Sequence, residues 1–241
     1  MVPYPRALME KSGVALRPIG LYDLPAGIEA QPSITPASRG LRCLFEAFDE
    51  WMAGKYLSLS AEDYGCGGCG RAFFGLQTRP REEFITFLAE TEGLKESREL
   101  MERWLEHGRT YKPGNGRIVI GGLREDFYDY LKTVTFFVNP DQLSVFMTGA
   151  QYFSAPEDIP PVIAPFGAGC MLMLTLFEDM DAPQAMIGGT DMAMRKNLPP
   201  DILAFTVTRP MYERLCRLGG NSFLFKPFLA GLWKARGEGR G

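Results

Sequence analysis

The sequence predicts an α+β fold: a single interwoven domain with a mixed or antiparallel sheet and flanking helices. Short segments rich in β-branched and aromatic residues predict strands, and apolar residues at three- and four-residue intervals predict helices. Their alternation is too irregular for a doubly wound sheet. The sequence contains neither an evident repeat nor a linker. We therefore expect one domain over residues 1–241, with loose termini at 1–12 and 236–241.

The first sixty residues predict two strands, a loop and a helix. Residues 14–22 have an extended pattern, and Pro18 favours an edge position in the sheet. Residues 27–40 are rich in Pro, Ser and Gly, which predicts a loop. Apolar residues recur on one helical face from residue 41 to 52, and residues 56–60 alternate as in a short strand.

The middle of the chain predicts three helices and two strands. The helices cover residues 71–76, 81–90 and 95–107, and the strands cover residues 117–122 and 133–138. In the third helix, the same spacing argument predicts three inward-facing residues: Leu100, Trp104 and Leu105.

The C-terminal third opens with a strong helix-start signal. Asn139 is a favourable N-cap, Pro140 suits the first helical position, and Asp141 complements the positive end of the helix. The helix is predicted to reach about Tyr152. The remaining predicted elements are a turn-rich link at residues 156–165, strands at 184–188 and 203–208, and helices that begin near Pro210 and Ser222.

The composition indicates an ordinary globular protein, with 46% hydrophobic and 23% charged residues. Lys and Arg total 26 against 29 Asp and Glu, so the net charge of −3 provides no general basic field for nucleic acid. The basic tail from Lys234 to Arg240 is short and is interrupted by Glu238. We therefore expect no nucleic-acid partner.

Compartment and membrane association can also be predicted. No segment reaches the roughly 18 consecutive apolar residues that a membrane span needs, and the N-terminus lacks a signal-peptide pattern. The count of five cysteines is odd, which favours a reducing compartment. We expect a cytoplasmic protein without a membrane partner. The sequence leaves open a small-molecule ligand and a homo-oligomer.

The cysteines are the first candidates for chemistry. Cys66 and Cys69, separated by two glycines, can direct both sulfurs at one metal ion, and Cys170 is a candidate third ligand at a glycine-rich helix start. A structural zinc site needs four ligands, whereas an iron–sulfur cluster can have a non-cysteine position. Cys43 or Cys216 could be a fourth ligand, but both lie within helical patterns, which favours small core residues. A loop of inert or merely redox-prone thiols is the alternative to a metal site. A thioredoxin-like redox motif is a further alternative, but the βαβ pattern that surrounds such a motif is missing.

A second candidate site follows the strand at residues 184–188. Asp191 and Arg195 could bind a polar group between them, with Arg71 as a further anion ligand. The structural alternative is a turn in which Asp191 caps the next helical turn and Arg195 pairs with it. The only histidine, His107, lies at a predicted helix C-terminus, where a cation is favoured without any function.

The chain resembles a known family, the uncharacterised ArCR family, also called domain of unknown function 169. The resemblance extends from about residue 14 to 235 and rests on these motifs: Cys66-Gly-Gly-Cys69 followed by Phe73-Phe-Gly-Leu76, Asn139-Pro-Asp-Gln142-Leu, Pro165-Phe-Gly-Ala-Gly-Cys170, and Gly189-Thr-Asp191 with Arg195. It implies one domain, found in bacteria and archaea, and no assigned activity. It also suggests that the two cysteine segments and the Asp191 loop form one shared site.

Three functions are consistent with these patterns. The first is a binding or redox protein with zinc or an iron–sulfur cluster on the three cysteines. The second is an enzyme that acts on a small anionic metabolite, with arginines as anion ligands and a cysteine as nucleophile. The third is a cofactor-free interaction protein. Converging sulfurs would favour the first, and a pocket joining Asp191, Arg195 and one exposed thiol would favour the second.

Overall fold

An eight-stranded mixed sheet organises the protein, in the order β2-β3-β4-β1-β5-β8-β7-β6. The structure is a computed structural model that describes residues 3–34, 43–60, 81–107, 109, 111–114, 117–155, 157–158, 160–167, 177 and 179–238. The strands are β1 Ile19–Tyr22, β2 Ser33–Ile34, β3 Tyr56–Ser60, β4 Arg117–Gly122, β5 Leu131–Val138, β6 Val162–Ile163, β7 Ala185–Gly188 and β8 Leu203–Thr208. This mixed sheet with flanking helices confirms the predicted α+β class.

The two halves of the sheet have the same topology. The first four strands have the order β2-β3-β4-β1, and the last four have the corresponding order β6-β7-β8-β5 read towards the centre. In each half the outermost pair is parallel and the other pairs are antiparallel. The halves meet where β1 pairs antiparallel with β5. The topology therefore has an internal two-fold relation that the sequence does not reveal.

The edge position predicted from Pro18 is wrong. Strand β1 lies between β4 and β5, where Ile19 pairs with Gly122 on one side and with Thr135 on the other. Pro18 directly precedes the first paired residue. Because it lies outside the ladder, its missing N–H removes no inter-strand hydrogen bond.

Helices and short 3-10 segments cover the sheet. They are α1 Arg6–Ser12, a 3-10 turn Leu44–Ala47 leading into α2 Phe48–Met52, α3 Arg81–Thr86 continuing as a π-helix Phe87–Thr91, α4 Arg98–His107, a 3-10 segment Glu125–Tyr130, α5 Pro140–Gln151, α6 Met192–Arg195, α7 Arg209–Cys216, a 3-10 turn Phe223–Phe225 and α8 Pro227–Ala235. Helix α5 begins as predicted. Asn139 and Gln142 exchange hydrogen bonds of 2.9 and 3.0 Å in a capping box.

The N-terminal residues contradict the predicted loose arm. Residues 6–12 form α1, in which Leu8 is fully buried. The Tyr212 hydroxyl donates to the Pro3 carbonyl at 2.7 Å, and the Trp233 indole donates to the Lys11 carbonyl at 2.8 Å. Burial of Leu8 and these two bonds hold the segment, whose few apolar residues gave no clear periodicity.

The two faces of the sheet bury separate cores, as the period of two along a strand requires. In β5, Val134 and Phe136 join one core with α1, α5, α7 and α8, whereas Phe137 joins the other core with α2 and α6. A small third cluster joins α3 and α4 around the fully buried Met101.

The orientation of α4 corrects one prediction and supports two. Leu100 is 39% exposed, so it does not face inward, whereas Met101 is fully buried. Trp104 and Leu105 pack, partly buried, against the third cluster as expected. No helix within the described ranges is long and apolar enough to cross a membrane.

Candidate functional site

For the predicted cysteine site, the structure describes only the residues that flank the cysteine segments. Cys66, Cys69 and Arg71, with the helix predicted at 71–76, belong to residues 61–80, and Cys170 belongs to residues 168–176; both segments lie outside the described residues. The first segment joins the end of β3 to the start of α3. The second segment follows the Phe166–Gly167 turn. The described residues on either side therefore fix the two ends of each cysteine segment.

The connection from β3 to β4 runs along the length of the sheet. It starts and returns at one end, where Ser60 pairs with Arg117. Strands β3 and β7 run in opposite directions, because β3 is parallel to β1, β7 is parallel to β5, and β1 is antiparallel to β5. The loop after β7 therefore lies at the opposite end of the sheet from Ser60. Glu92, which lies between the helices of the connection, is nevertheless close enough to Asp191 in that loop for the two charges to interact.

Helices α3 and α4 form a hairpin centred on Arg98. Its guanidinium donates to the carboxylates of Glu82, Glu90 and Glu102, and to the Thr86 hydroxyl at 3.0 Å. Between the helices, the Phe87–Thr91 π-helix ends with the Glu92 N–H donating to the Phe87 carbonyl at 2.9 Å. π-helical turns are rare and occur frequently at functional sites. Glu92 and the residues directly after it therefore form the bend between the two helices of the hairpin.

The hairpin contacts the segment that leads to Cys170. The Lys95 ammonium lies 3.8 Å from the centroid of the Phe166 ring, a cation–π distance. The Trp104 ring packs edge-on against the same ring, with centroids 5.1 Å apart. The next residue, Gly167, has φ +76°, a conformation that other residues rarely adopt. The helical hairpin that follows residues 61–80 therefore touches, at Phe166, the residues that precede 168–176.

Asp191 and Arg195 lie in the loop after β7, and both side chains make hydrogen bonds within it. Gly189 turns the chain with φ +69°, and the Asp191 carboxylate accepts the Ala193 N–H at 2.9 Å as the N-cap of α6. The Arg195 guanidinium donates to the carbonyls of Gly189 and Ile202 at 3.3 and 2.5 Å. It also donates to two further carbonyls, at 3.2 and 2.9 Å: those of Pro199 and Pro200.

These contacts agree with the structural alternative for Asp191 and modify it for Arg195. The expected cap is present, but the arginine binds backbone carbonyls in place of the Asp191 carboxylate. Four carbonyl contacts occupy both terminal nitrogens of the guanidinium. Arg195 therefore holds the loop, and its predicted role as an anion ligand stays a prediction without a supporting contact.

Glu92 and Asp191 lie within electrostatic range of each other. Partial burial raises the pKa of Glu92, and the negative charge of Asp191 raises this pKa further. Both effects favour the neutral, protonated form of the Glu92 carboxyl group. Beside this pair, Met192 is 77% exposed, so the surface around Asp191 is open.

The two described cysteines behave as packing residues. Burial raises the pKa of Cys216 to about 12, and its thiol shares a hydrogen bond with Tyr212. Cys43 packs, partly buried, against the core on the α2 face. Within the described ranges, no three His, Cys, Asp or Glu side chains are grouped as metal ligands.

The sequence analysis did not predict that Lys95 and Trp104 contact Phe166 or that Glu92 interacts with Asp191. The break at Gly93 was the available signal, because it places Glu92 and Lys95 at a bend between two helices. Phe166 belonged to a quoted motif, yet its partners lie about sixty to seventy residues earlier in the chain.

Comparison with known proteins places the chain in a family. The model of the uncharacterised ArCR family matches residues 7–217, which is most of the chain. Neither the curated proteins nor the solved structures gave a match. The chain belongs to the uncharacterised ArCR family, domain of unknown function 169.

Proposed function

We propose that Cys66, Cys69 and Cys170 together bind zinc or an iron–sulfur cluster, and that the protein is a cytoplasmic metal-binding or redox protein. Thiolates are the preferred ligands of both groups, and a reducing compartment keeps them available. The observation that supports this most directly is the contact of Phe166 with Lys95 and Trp104. It brings the helices that follow one cysteine segment against the residues that precede the other.

The length of the chain permits the three sulfurs to meet. Strands β3 and β6 are six strand spacings apart, about 29 Å across the sheet, and Ser60 lies at the opposite end of the strands from the C-terminal end of β6. A five-residue strand adds about 17 Å along the sheet, so the separation is about 33 Å. Extended chain spans at most about 3.6 Å per residue, so Cys69 can lie up to about 32 Å from Ser60. By the same rule, Cys170 can lie up to about 14 Å from Phe166. The combined reach exceeds the separation, so co-location requires no change in the sheet.

The carboxylates of Glu92 and Asp191 supply negative charge beside the Asp191 loop. The pKa of Glu92 is raised by burial and by the negative charge of Asp191, and a cation beside Glu92 would offset the effect of Asp191. Among the described residues, Glu92 is a candidate carboxylate for a fourth ligand position, since Asp191 already caps α6. Zinc accepts carboxylate oxygen, and a cluster with three cysteines accepts a non-cysteine ligand. The raised pKa of Cys216 argues against a thiolate ligand there.

The test is metal and acid-labile sulfide analysis, with an absorption spectrum, on protein purified anaerobically without a metal-affinity tag. Cys66→Ser, Cys69→Ser and Cys170→Ser are each expected to reduce bound iron or zinc at least about tenfold. Cys216→Ser is the matched control, since it makes the same exchange at a cysteine that packs in a core. It is expected to retain the metal.

Three results would contradict the proposal, the first two as a whole and the third for Cys170. Wild-type protein that is colourless and free of iron and zinc would remove the centre altogether. Metal that is lost equally in Cys216→Ser and Cys66→Ser would indicate general unfolding or adventitious binding. Loss of metal in Cys66→Ser and Cys69→Ser, but not in Cys170→Ser, would mean that the Cys-Gly-Gly-Cys pair binds the metal without Cys170. It would therefore exclude the shared site.

A further inference from the structure

We propose that the C-terminal helix attaches this protein to membranes that contain anionic phospholipid. The surface concerned, termed here the C-terminal surface, is formed by α8 and the residues beside its start, and it combines apolar with basic side chains: Phe225, Phe228 and Leu232 with Lys11, Lys226 and Lys234. Phe228 is 93% exposed and Phe225 is 46% exposed. A contact at the membrane surface needs no spanning helix, and it would revise the sequence-based expectation of no membrane partner.

Both sides of α8 are apolar, but the described fold covers only one of them. On the inner side, Leu229 and Trp233 are buried, and the Trp233 indole donates to the Lys11 carbonyl at 2.8 Å. The outer side, at the opposite three- and four-residue positions, is exposed and contains one charge: Pro227, Phe228, Gly231, Lys234 and Ala235. A helix that is apolar on all sides is normally buried on all sides. The outer side of α8 therefore suits contact with a further apolar phase.

Two lysines line a groove at the start of α8. Lys226 is the N-cap, so its charge adds to the positive end of the helix dipole. The Lys11 ammonium, on α1, lies 5.4 Å from the centroid of the Phe225 ring. The groove has a volume of about 220 Å³, and its other lining residues are apolar: Leu224, Phe225, Pro227, Leu229, Ala230 and Trp233. Apolar walls beside two ammonium groups match an acyl chain joined to an anionic headgroup.

Cations outnumber carboxylates around α8, although the whole chain has a net charge of −3. Helix α1 and residues 226–238, together with Asp141, contain five Lys or Arg and three Asp or Glu. Within this group, Arg236 donates to both carboxylate oxygens of Asp141, at 2.7 and 2.9 Å, so this pair is neutral. Helix α8 itself contains no acidic residue. The local excess of positive charge complements an anionic surface.

Further exposed aromatic rings adjoin the C-terminal surface. Tyr152 is 46% exposed and Phe153 is 37% exposed. The Tyr152 ring lies 6.0 Å from the ring of Phe223, which belongs to the same 3-10 turn as Phe225. The guanidinium of Arg217 lies 5.5 Å from the centroid of the Phe153 ring. Aromatic rings with a polar edge and long basic side chains are enriched where proteins meet the membrane–water interface.

The exposed apolar area favours lipid over a protein partner. A phenylalanine side chain buries about 150–250 Å², so Phe225 and Phe228 together expose roughly 280 Å² at their 46% and 93% exposures. A standard protein interface needs about 800 Å² from each partner, whereas side chains that insert into lipid have no such lower limit. At about 32 Å² per methylene, the two rings equal about nine methylenes, fewer than in a myristoyl chain, which alone gives only marginal membrane binding. The cations therefore supply the second attraction, and binding should depend on anionic lipid.

Cosedimentation of the full chain with lipid vesicles tests the attachment. The protein should bind vesicles of equimolar phosphatidylcholine and phosphatidylglycerol at least about tenfold more strongly than vesicles of phosphatidylcholine alone. Raising the salt from about 0.1 to 1 M shortens the Debye length from about 10 to 3 Å, so it should weaken this binding. Lys226→Gln should weaken it about fivefold, whereas Lys112→Gln, the control at an exposed lysine before β4, should leave it unchanged.

Replacement of Phe228 tests the apolar contribution. Phe228→Ser should weaken binding to the anionic vesicles at least about tenfold. Met192→Ser is the matched control and should bind as wild type does, because Met192 is 77% exposed but lies on α6, which packs on the opposite face of the sheet from α8. Phe228→Trp retains a large apolar ring, so it should bind as wild type does, and brominated phospholipid should quench the fluorescence of the added indole. The added indole of Met192→Trp should escape quenching.

Three results would overturn the proposal: binding that is no stronger with phosphatidylglycerol than without it, binding insensitive to Phe228→Ser, or an indole at position 228 that brominated lipid does not quench. Self-association of the protein without vesicles, abolished by Phe228→Ser, would instead assign the surface to a second copy. None of these results bears on the cysteine centre, whose metal analysis is independent.

Discussion

Replacing Arg195 by methionine is expected to destabilise the fold by about 2–4 kcal/mol. The carbonyls of Gly189 and Ile202 belong to buried residues and accept from one guanidinium nitrogen. A buried acceptor left without its donor costs about 1–3 kcal/mol, and hydrogen bonds to charged groups contribute more than neutral ones. Pro199 and Pro200 are more exposed, so water can replace their bonds and we assign them little. Methionine retains the unbranched stem but cannot donate.

Urea-induced unfolding, followed by tryptophan fluorescence and circular dichroism, measures this loss as a difference in the free energy of unfolding. Arg103→Met is the matched control, because Arg103 is exposed on α4. It should change the free energy by no more than about 0.5 kcal/mol. Arg195→Lys should recover only part of the loss, since one ammonium cannot reproduce the planar fork. A free energy for Arg195→Met within 0.5 kcal/mol of wild type would refute the structural role and return Arg195 to the anion-ligand interpretation.

Two further predictions follow from burial. Met101→Ala should cost about 2–4 kcal/mol because Met101 is fully buried, whereas Leu100→Ala at a 39% exposed position should cost under about 1 kcal/mol; equal losses in urea unfolding would contradict the assigned orientation of α4. The pKa of Cys216, raised by burial to about 12, lies above that of a free thiol, so the unfolded chain ionises first. Stability contributed by the neutral thiol is therefore full below about pH 8.5 and is lost as the pH rises towards 12. Urea unfolding at pH 7.5 and 10 should show a smaller alkaline loss in Cys216→Ser, and an identical loss would contradict the assignment.

Local signals in the sequence predicted most elements because the interactions that form them are local. The helix after Asn139 depends on bonds within three residues, and all are visible in the sequence. The position of β1 in the sheet depends on pairing with residues about one hundred positions away, which no local pattern encodes. Helix α1 was missed for the same reason, since its stability comes from distant packing around Leu8.

In the candidate site too, the local contacts were predictable from the sequence and the long-range contacts were not. The Asp191 cap was predictable because it spans two residues. The contacts of Phe166 with Lys95 and Trp104, and the effect of Asp191 on the pKa of Glu92, depend on how the β3–β4 connection is placed in space. For Arg195, the sequence suggested a charged partner, but the loop folds so that carbonyls lie closer than the Asp191 carboxylate.

The repeated topology of the sheet indicates which connection between strands is expected to carry functional residues. Strands β7 and β8 are joined by residues 189–202, which shows that a short connection suffices for this pair. The corresponding connection between β3 and β4 takes residues 61–116, about four times as many. Closing the longer loop costs about 1.2 kcal/mol more, and its helices α3 and α4 bury only a small cluster of their own. Since the sheet does not require this insertion, its cysteine loop and its Glu92–Lys95 bend are where a functional role is expected.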